Sequence, residues 1–217
     1  MRQRLLRDEL VWLVFCQARC RLLACLQMQA RTLAVLLLAA VASSPGASEQ
    51  CVALRTPYAP QAHEADVLHL PTPAPVVADM LRLAGVSPAD VVYDLGSGDG
   101  RIPIAAARDF GARGIGIELD ARLVALAHCN ARAAGVGARV DFRQEDLLGT
   151  DLREATVVTL FLLPELNRKL KPKLLAELRP GTRIVSHRFG LGDWPPERIV
   201  QSSNHPILLW IVPAQSR

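Results

Sequence analysis

The feature of this sequence that most limits its fold is a glycine-rich loop between an apolar strand and a helix. The run Val91–Leu95 predicts a buried strand, and residues 101–110, followed by Gly111, predict a helix. The loop between them reads Gly-Ser-Gly-Asp-Gly. Glycines at such a junction let the backbone approach a ligand closely, and in an open α/β sheet the junction lies at the ligand-binding edge. The sequence therefore predicts a ligand site on an α/β sheet.

The spacing of these glycines disfavours two common phosphate-binding loops. A dinucleotide-binding loop has the pattern G-x-G-x-x-G, and a P-loop has G-x-x-x-x-G-K-[ST]. Here the third glycine, Gly100, comes one residue early, and no lysine follows it. Asp94 stands at the end of the strand, where a carboxylate would repel a pyrophosphate but would suit a cationic ligand.

The rest of the folded region alternates strands with helices. The predicted strands after the first are 115–118, 140–143, 157–162, 183–186, 198–201 and 206–212. The last two are separated by Asn204 and His205, which leave no room for a helix, so we expect them to be antiparallel. The pattern predicts a doubly wound, Rossmann-like α/β sheet of seven strands with a terminal antiparallel hairpin.

Capping residues and prolines set the expected helix boundaries. Thr72 is expected to cap a helix with Pro73 at its first position, and Asp120 to cap an alanine-rich helix. Another helix is expected to start at Pro164, and Pro172 is expected to break it and begin a second one.

Acidic residues at three neighbouring strand ends predict the chemistry of the ligand. Glu118 ends the second strand, where a carboxylate can accept hydrogen bonds from both hydroxyls of a ribose. Asp146 follows the third strand, where it could accept one from an adenine amino group. Together with Asp94, these residues describe a ligand with an ammonium, a ribose and an exocyclic amine. That ligand is S-adenosylmethionine, and we expect it to be the cofactor.

With these residues the sequence resembles the class I methyltransferases. More narrowly, it resembles bacterial relatives of the mitochondrial protein-lysine methyltransferases that modify the ATP synthase c-subunit and the adenine nucleotide translocase. The resemblance covers residues from about 66 to 213. It rests on residues 70–73, 93–101, 116–118, 188–189 and 194–195.

The resemblance implies a strand order of 3-2-1-4-5-7-6 and a set of cofactor-binding residues. Asp94 and the glycines would surround the methionine part, Glu118 the ribose, and Asp146 the adenine, with Thr72 and Pro73 at the methionine end. The full set is Thr72, Pro73, Asp94, Gly96, Ser97, Gly98, Gly100, Glu118, Leu119, Asp146 and Leu147. No nucleophile triad is seen, no metal site is predicted, and no catalytic residue is assigned.

Residues after the fourth strand bear on the methyl acceptor. Phe161, Leu162 and Leu163 would lie over the methyl group, and an apolar slot there would favour the uncharged form of a lysine amine. The Asn/Asp-Pro-Pro-Tyr motif of amide and adenine methyltransferases is absent at this place. His187 could reach the acceptor side, although a structural histidine is the favoured interpretation.

We therefore expect methyl transfer to a lysine amine of a protein near the membrane. A small-molecule methyltransferase and a cofactor-binding module without turnover remain the alternatives. Nucleic acid is not expected as a partner, because the residues after position 27 carry 20 basic and 19 acidic side chains. That balance is too even for binding a phosphate backbone by counterion release.

The first fifty residues have the layout of an export signal. Arg31 precedes an apolar run at residues 33–42, and small and turn-forming residues follow it. Such a run makes about 15 Å of helix, half of a bilayer core, which favours a cleaved signal over a permanent span. We expect translation to begin at Met28 and the protein to be exported or membrane-anchored. The alternatives are a cytoplasmic protein and an amphipathic, membrane-dipping helix at residues 5–26.

The expected organisation has four parts. They are an upstream extension at 1–27, a signal-like or anchor segment at 28–48, a linker at 49–65 and the methyltransferase domain at 66–217.

The cysteines are unevenly distributed on the two sides of Met28. Three of the five cysteines precede Met28, and only Cys51 and Cys129 follow it. We do not expect these two to form a disulfide framework, and we interpret Cys129 as a small hydrophobic residue in the core.

Overall fold

The computed structural model describes Cys51 and residues 71–214. Helices and strands largely alternate between residues 74 and 211. The helices are α1 (Ala74–Leu83), α2 (Arg101–Phe110), α3 (Ala121–Ala133) and α4 (Pro164–Glu177). The strands are β1 (Val91–Leu95), β2 (Arg113–Glu118), β3 (Val140–Gln144), β4 (Val157–Leu160), β5 (Arg183–His187), β6 (Arg198–Ser202) and β7 (His205–Ile211).

The expectations for the start of the chain concern a different part of it. The upstream extension, the signal-like segment, the start at Met28 and nearly all of the linker lie outside the described residues. Within 71–214, none of the helices is long and apolar enough to cross a membrane.

The seven strands form one sheet of order β3-β2-β1-β4-β5-β7-β6, which confirms the expected order. Strands β1 to β5 pair in parallel with one another, and β7 runs antiparallel to both β5 and β6. Leu160 pairs with Leu95 on one side and with Ser186 on the other, so β1, β4 and β5 reach the carboxyl edge at the same level. Parallel strands that end together place the loops after them side by side.

Side chains alternate between the two faces of the sheet. Val92 packs with helices α1 and α2, whereas Tyr93 and Leu95 pack in the layer that contains Leu170 and Leu174 of α4. Both layers are fully buried. The central strands are apolar on both faces, as expected for a doubly wound sheet.

Helix α4 runs without interruption through Pro172, so the prediction of a break there is wrong. Proline removes one backbone donor and crowds the preceding turn. The helix continues because Leu170 and Leu174, on either side of Pro172, have no solvent exposure and pack in the core. Burial of an apolar face contributes more to this helix than local propensity does.

Cys51 and Cys129 form a disulfide with a Cα–Cα distance of 5.6 Å, so the expectation that they stay unpaired is wrong. Nη2 of Arg132, one turn further along α3, lies 3.3 Å from the sulfur of Cys129 and 3.8 Å from that of Cys51. The bond attaches residue 51 to α3 across a sequence separation of 78 residues. Two isolated cysteines carry no spacing pattern that predicts such a contact.

Candidate functional site

The loop after β1 is held in shape by its glycines and by the end of β2. Gly96, Gly98 and Gly100 all have positive φ, at 80°, 54° and 79°, which side chains rarely tolerate. The backbone N–H groups of Gly96 and Ser97 both donate to the carbonyl of Ile117, at 2.9 Å. The glycines therefore allow a tight turn that folds back over the end of β2.

Close packing leaves no room for side chains on two of these glycines. A Cβ on Gly100 would lie 2.6 Å from the ring of Phe142, and one on Gly96 would lie 2.8 Å from Cδ2 of Leu162. The second contact brings the segment after β4 directly over the loop, where the sequence predicts it.

Ser97 carries a buried hydroxyl in the centre of the loop. Its side chain is 5% exposed, and its Oγ has no hydrogen-bond partner among the described residues. Buried polar groups in native proteins are nearly always paired, and this hydroxyl packs against β2, where a Cβ added to Gly116 would lie 2.6 Å from it.

Glu118 is held by three backbone N–H groups at the end of β2. One carboxylate oxygen, Oε2, accepts from Gly98 at 2.9 Å. The other, Oε1, accepts from Leu119 at 2.8 Å and from Asp120 at 3.1 Å. A carboxylate has about four lone-pair positions, so this fixed group keeps about one, on Oε2, for a ribose hydroxyl.

Asp94 is buried at the carboxyl end of β1. It is 3% exposed, and its Oδ1 accepts a hydrogen bond of 2.7 Å from the hydroxyl of Thr159 on β4. Burial raises the pKa of Asp94 to about 7, and the negative charges of Glu118 and Asp99 act in the same direction, whereas the Thr159 bond opposes them. A cation bound beside it would favour the ionised form.

The residues expected around adenine lie on the exposed rim of the same edge. Asp146 is exposed, and its Oδ1 accepts from the backbone N–H of Leu148 at 2.9 Å in a local turn. Leu119 is 65% exposed, and Leu147 is partly buried against the apolar layer of α4. The structure thus brings Asp94, Ser97 and Glu118 together around the loop and leaves Asp146 at its periphery.

Thr72 does not cap α1, and that prediction is wrong. Pro73 occupies the cap position, and no side chain caps the helix. The hydroxyl of Thr72 instead lies 3.3 Å from Nδ1 of His187, and its carbonyl accepts a 2.9 Å hydrogen bond from Arg101. Since Arg101 is also paired with Asp99 of the loop, Thr72 connects the glycine loop to the end of β5.

An aromatic cluster covers the carboxyl ends of β4 and β5. The ring of Phe161 lies 4.1 Å from that of His187 and 6.3 Å from that of Phe189, measured between centroids. His205 packs edge-on against His187 at 5.0 Å. The sequence pointed to Phe161 but missed Phe189 and His205, since both come from distant segments. Leu163 is 54% exposed and lies outside the buried layer.

A sheet of this order, with a glycine loop after β1 and acidic residues ending β1 and β2, defines a class I S-adenosylmethionine-dependent methyltransferase. The model of the ANTKMT methyltransferase domain family matches residues 94–198.

Similar proteins indicate which group of methyltransferases this chain belongs to. A protein-lysine N-methyltransferase from Saccharolobus islandicus is 43% identical over 151 residues, which cover 67% of this chain and 94% of the archaeal protein. The mouse adenine nucleotide translocase lysine N-methyltransferase is 43% identical over 125 residues, 57% of this chain and 54% of the mouse protein. This chain belongs to the family of these lysine methyltransferases, which confirms the resemblance found in the sequence.

A solved structure identifies the cofactor. The RNA methyltransferase from Salinibacter ruber, in complex with S-adenosylhomocysteine, is 54% identical with a TM-score of 0.67, covering 68% of this chain and 97% of that one. S-adenosylhomocysteine is what S-adenosylmethionine becomes after it has given up its methyl group. S-adenosylmethionine is therefore the cofactor of this methyltransferase.

Proposed function

We propose that this protein transfers the methyl group of S-adenosylmethionine to the side-chain amine of a lysine in a protein. The observation that carries the proposal is the aromatic cluster of Phe161, His187 and Phe189 beside the glycine loop. These rings offer an amine an apolar surface, which disfavours its charged form. The similarity to lysine methyltransferases supports the same acceptor.

The residues of the loop region fit the cofactor, and we propose that they hold it. The bare glycine backbone and the fixed Glu118 carboxylate offer hydrogen bonds to an amino acid and a ribose. Asp94 would balance its positive charge, and Asp146 on the rim would face the adenine. When bound, the cofactor supplies a methyl group already activated by a positively charged sulfur.

The protein then has two tasks at the acceptor. A lysine amine has an ordinary pKa of about 10.4 and must lose its proton before it can attack. An apolar surface disfavours the charged form and lowers that pKa. The second task is to align the amine with the methyl group, and positioning of this kind can be worth several kcal/mol.

RNA is the second acceptor class, because the solved relative from Salinibacter ruber carries that name. Two features of this chain favour a protein instead. The residues after β4 are Phe161, Leu162, Leu163 and Pro164, not the motif of the base methyltransferases, and the charge after residue 27 is nearly balanced. RNA binding typically needs a basic surface.

We also propose that residues 66–217 carry this activity in a protein that is exported or held at a membrane by its first segment. The signal-like sequence and the Cys51–Cys129 disulfide support this location, since disulfides persist mainly in oxidising compartments. A cytoplasmic protein is the alternative. Export would require the cofactor on the far side of the membrane, so a tagged chain should be fractionated.

A radiolabelled-methyl assay on membrane and soluble fractions tests the function. Label in a protein band that survives ribonuclease supports the proposal. Label lost on ribonuclease treatment indicates RNA, and label in solvent-extractable material indicates a small molecule. Cofactor binding without any label indicates a non-catalytic module. The variant Glu165→Gln, at a side chain of α4 that is 84% exposed, serves as a control for the loss of one surface charge.

A further inference from the structure

His187 ends β5 at the carboxyl edge of the sheet and packs against Phe161, in the segment after β4. It directly follows Ser186, which pairs with Leu160, which in turn pairs with Leu95. The side chain therefore lies in the next row along the sheet edge, level with Phe161 and with the start of the glycine loop. It is 1% exposed.

One ring nitrogen of His187 has a hydrogen-bond partner, and the other has none among the described residues. Nδ1 lies 3.3 Å from the hydroxyl of Thr72. Nε2 is buried and has no hydrogen-bond partner among the described residues. The rings of Phe161 and His205 pack against the His187 ring, with centroids 4.1 Å and 5.0 Å away, and Nδ1 of His205 is likewise buried without a hydrogen-bond partner among the described residues. An unpaired buried nitrogen at the acceptor side of the loop points to a ligand that donates a hydrogen bond.

We propose that Nε2 of His187 accepts a hydrogen bond from the substrate amine and thereby turns the lone pair of that amine toward the methyl group. The proposal rests on the proposed function, because it assumes an amine as the acceptor. The required tautomer has its proton on Nδ1, where it donates to the Thr72 hydroxyl. The opposite tautomer would donate from Nε2 into the lone pair that must attack.

His187 acts here by positioning and not as a base. Burial lowers the pKa of His187 from 6.5 to about 4, and the nearby His205 and Arg188 act in the same direction. A group with that pKa stays neutral, so it does not repel an incoming ammonium, but it is far too weak to take a proton from a group whose pKa is about 10.4. The amine is therefore deprotonated in equilibrium with the bulk solvent before it reaches His187, and the neutral fraction grows as the pH approaches its pKa.

The reaction step balances without further groups. The amine nitrogen forms a bond to the methyl carbon as the bond from that carbon to sulfur breaks, and the electron pair of the broken bond stays on sulfur. The methylated amine carries the positive charge until water removes a proton. His187 forms and breaks only a hydrogen bond.

If His187 has this role, its effect on the rate depends on how many methyl groups the lysine already carries. A neutral primary amine has two N–H bonds, a monomethylated amine has one, and a dimethylated amine has none. His187 can therefore assist the first and second transfers but not the third. A purely structural histidine would affect all three alike.

The test uses the full-length protein with poly-L-lysine and with poly-L-lysine that has been converted to dimethyl-lysine by reductive methylation. His187→Phe keeps a ring but lacks the acceptor, His187→Gln places an amide oxygen near the position of Nε2, and His187→Asn places it nearer Nδ1. We expect the Phe and Asn variants to lose about tenfold or more in kcat on poly-L-lysine, as for loss of a bond to a reacting group. The Gln variant should recover most of the rate.

Cofactor affinity and the dimethyl substrate separate the possible outcomes. We expect all three variants to bind S-adenosylhomocysteine within twofold of the original protein in calorimetry, and the Phe and Asn variants to keep a much larger fraction of the original rate on the dimethyl substrate than on poly-L-lysine. Equal losses on both substrates, or no loss in the Phe and Asn variants, would overturn the role of His187 alone. If the unsubstituted protein binds cofactor but methylates neither substrate, the lysine function and the role of His187 both fail.

Discussion

The backbone N–H of Gly98 donates a 2.9 Å hydrogen bond to the side chain of Glu118, and this bond joins the loop after β1 to the end of β2. The other oxygen of the same carboxylate is bonded to the start of the segment that leads into α3. Glu118 therefore both shapes the loop and keeps about one lone pair, on Oε2, for a ligand hydroxyl.

We predict that Glu118→Ala weakens the binding of S-adenosylhomocysteine by about 2–3 kcal/mol, roughly 30- to 150-fold in Kd. Two causes act together, since the substitution removes the acceptor for the ribose and releases the N–H of Gly98. Isothermal titration calorimetry measures the affinity, with Glu165→Gln as the control. Unchanged affinity would show that the ribose does not bind at Glu118.

The substitution Gly100→Ala should destabilise the fold far more than Gly135→Ala. Both glycines have positive φ, at 79° and 71°, so an added Cβ strains each backbone similarly. Only at Gly100 would that Cβ also meet the ring of Phe142, at 2.6 Å. We expect a loss of about 1 kcal/mol at Gly135 and of about 2–4 kcal/mol at Gly100.

Urea denaturation of the two glycine variants provides the comparison. Adding Phe142→Leu to Gly100→Ala should recover part of the stability, because it relieves the contact with the ring. Equal losses at the two glycines, with no recovery in the double variant, would contradict the close packing of the loop.

Asp94 should make the stability of the ligand-free protein fall as the pH rises. Its pKa is raised from 3.8 to about 7 in the folded protein, so the folded state holds a proton that the unfolded state has already released. The resulting stabilisation is fully present below pH of about 4 and is lost as the pH rises through about 7. Asp94→Asn removes this dependence.

Thermal unfolding of both proteins from pH 5 to pH 8 measures the effect. We expect the melting temperature of the original protein to fall more steeply over this range than that of Asp94→Asn. Parallel curves would contradict a buried, protonated Asp94. Because a bound cation favours the ionised carboxylate, binding of S-adenosylmethionine should also strengthen as the pH rises through 7.

Removal of the disulfide should destabilise the protein by about 4 kcal/mol in the chain-entropy description, since it closes a loop of 78 residues. Urea denaturation with and without reductant measures this loss for the original protein and for Cys129→Ser. The reductant should have no effect on the variant. Arg132→Ala, which removes only the guanidinium beside the sulfurs, should keep the response of the original protein. An original protein that is insensitive to reductant would contradict the bond.

The sheet and the loop could be predicted because their signals are local. Strand β1 and helix α2 have the predicted boundaries, since an apolar run, three glycines and Gly111 mark them directly. Asp120 caps α3 as expected, by accepting a hydrogen bond from the N–H of Arg122. Each of these features depends on residues within a few positions of one another.

The features that were missed depend on contacts between distant segments. Pro172 stays inside a helix because the core holds the residues around it. The hydroxyl of Thr72 contacts His187, 115 positions away, and does not cap the next helix. Neither the hydroxyl of Thr159 beside Asp94 nor the pairing of Cys51 with Cys129 has a local signal. The Thr159 hydroxyl affects the pKa of Asp94, and the Thr72 hydroxyl occupies one ring nitrogen of His187. The disulfide attaches residue 51 to α3.

The most direct test of the central claim is to identify the amino acid that receives the methyl group. The labelled protein band from the transfer assay is hydrolysed in acid, and the amino acids are separated beside methyl-lysine standards. We predict that the label elutes with methylated lysines and is strongly reduced when Glu118→Ala replaces the original protein at a cofactor concentration below the Kd of the variant. Label that elutes with another amino acid, or that resides in RNA or in a small molecule, would contradict a lysine methyltransferase.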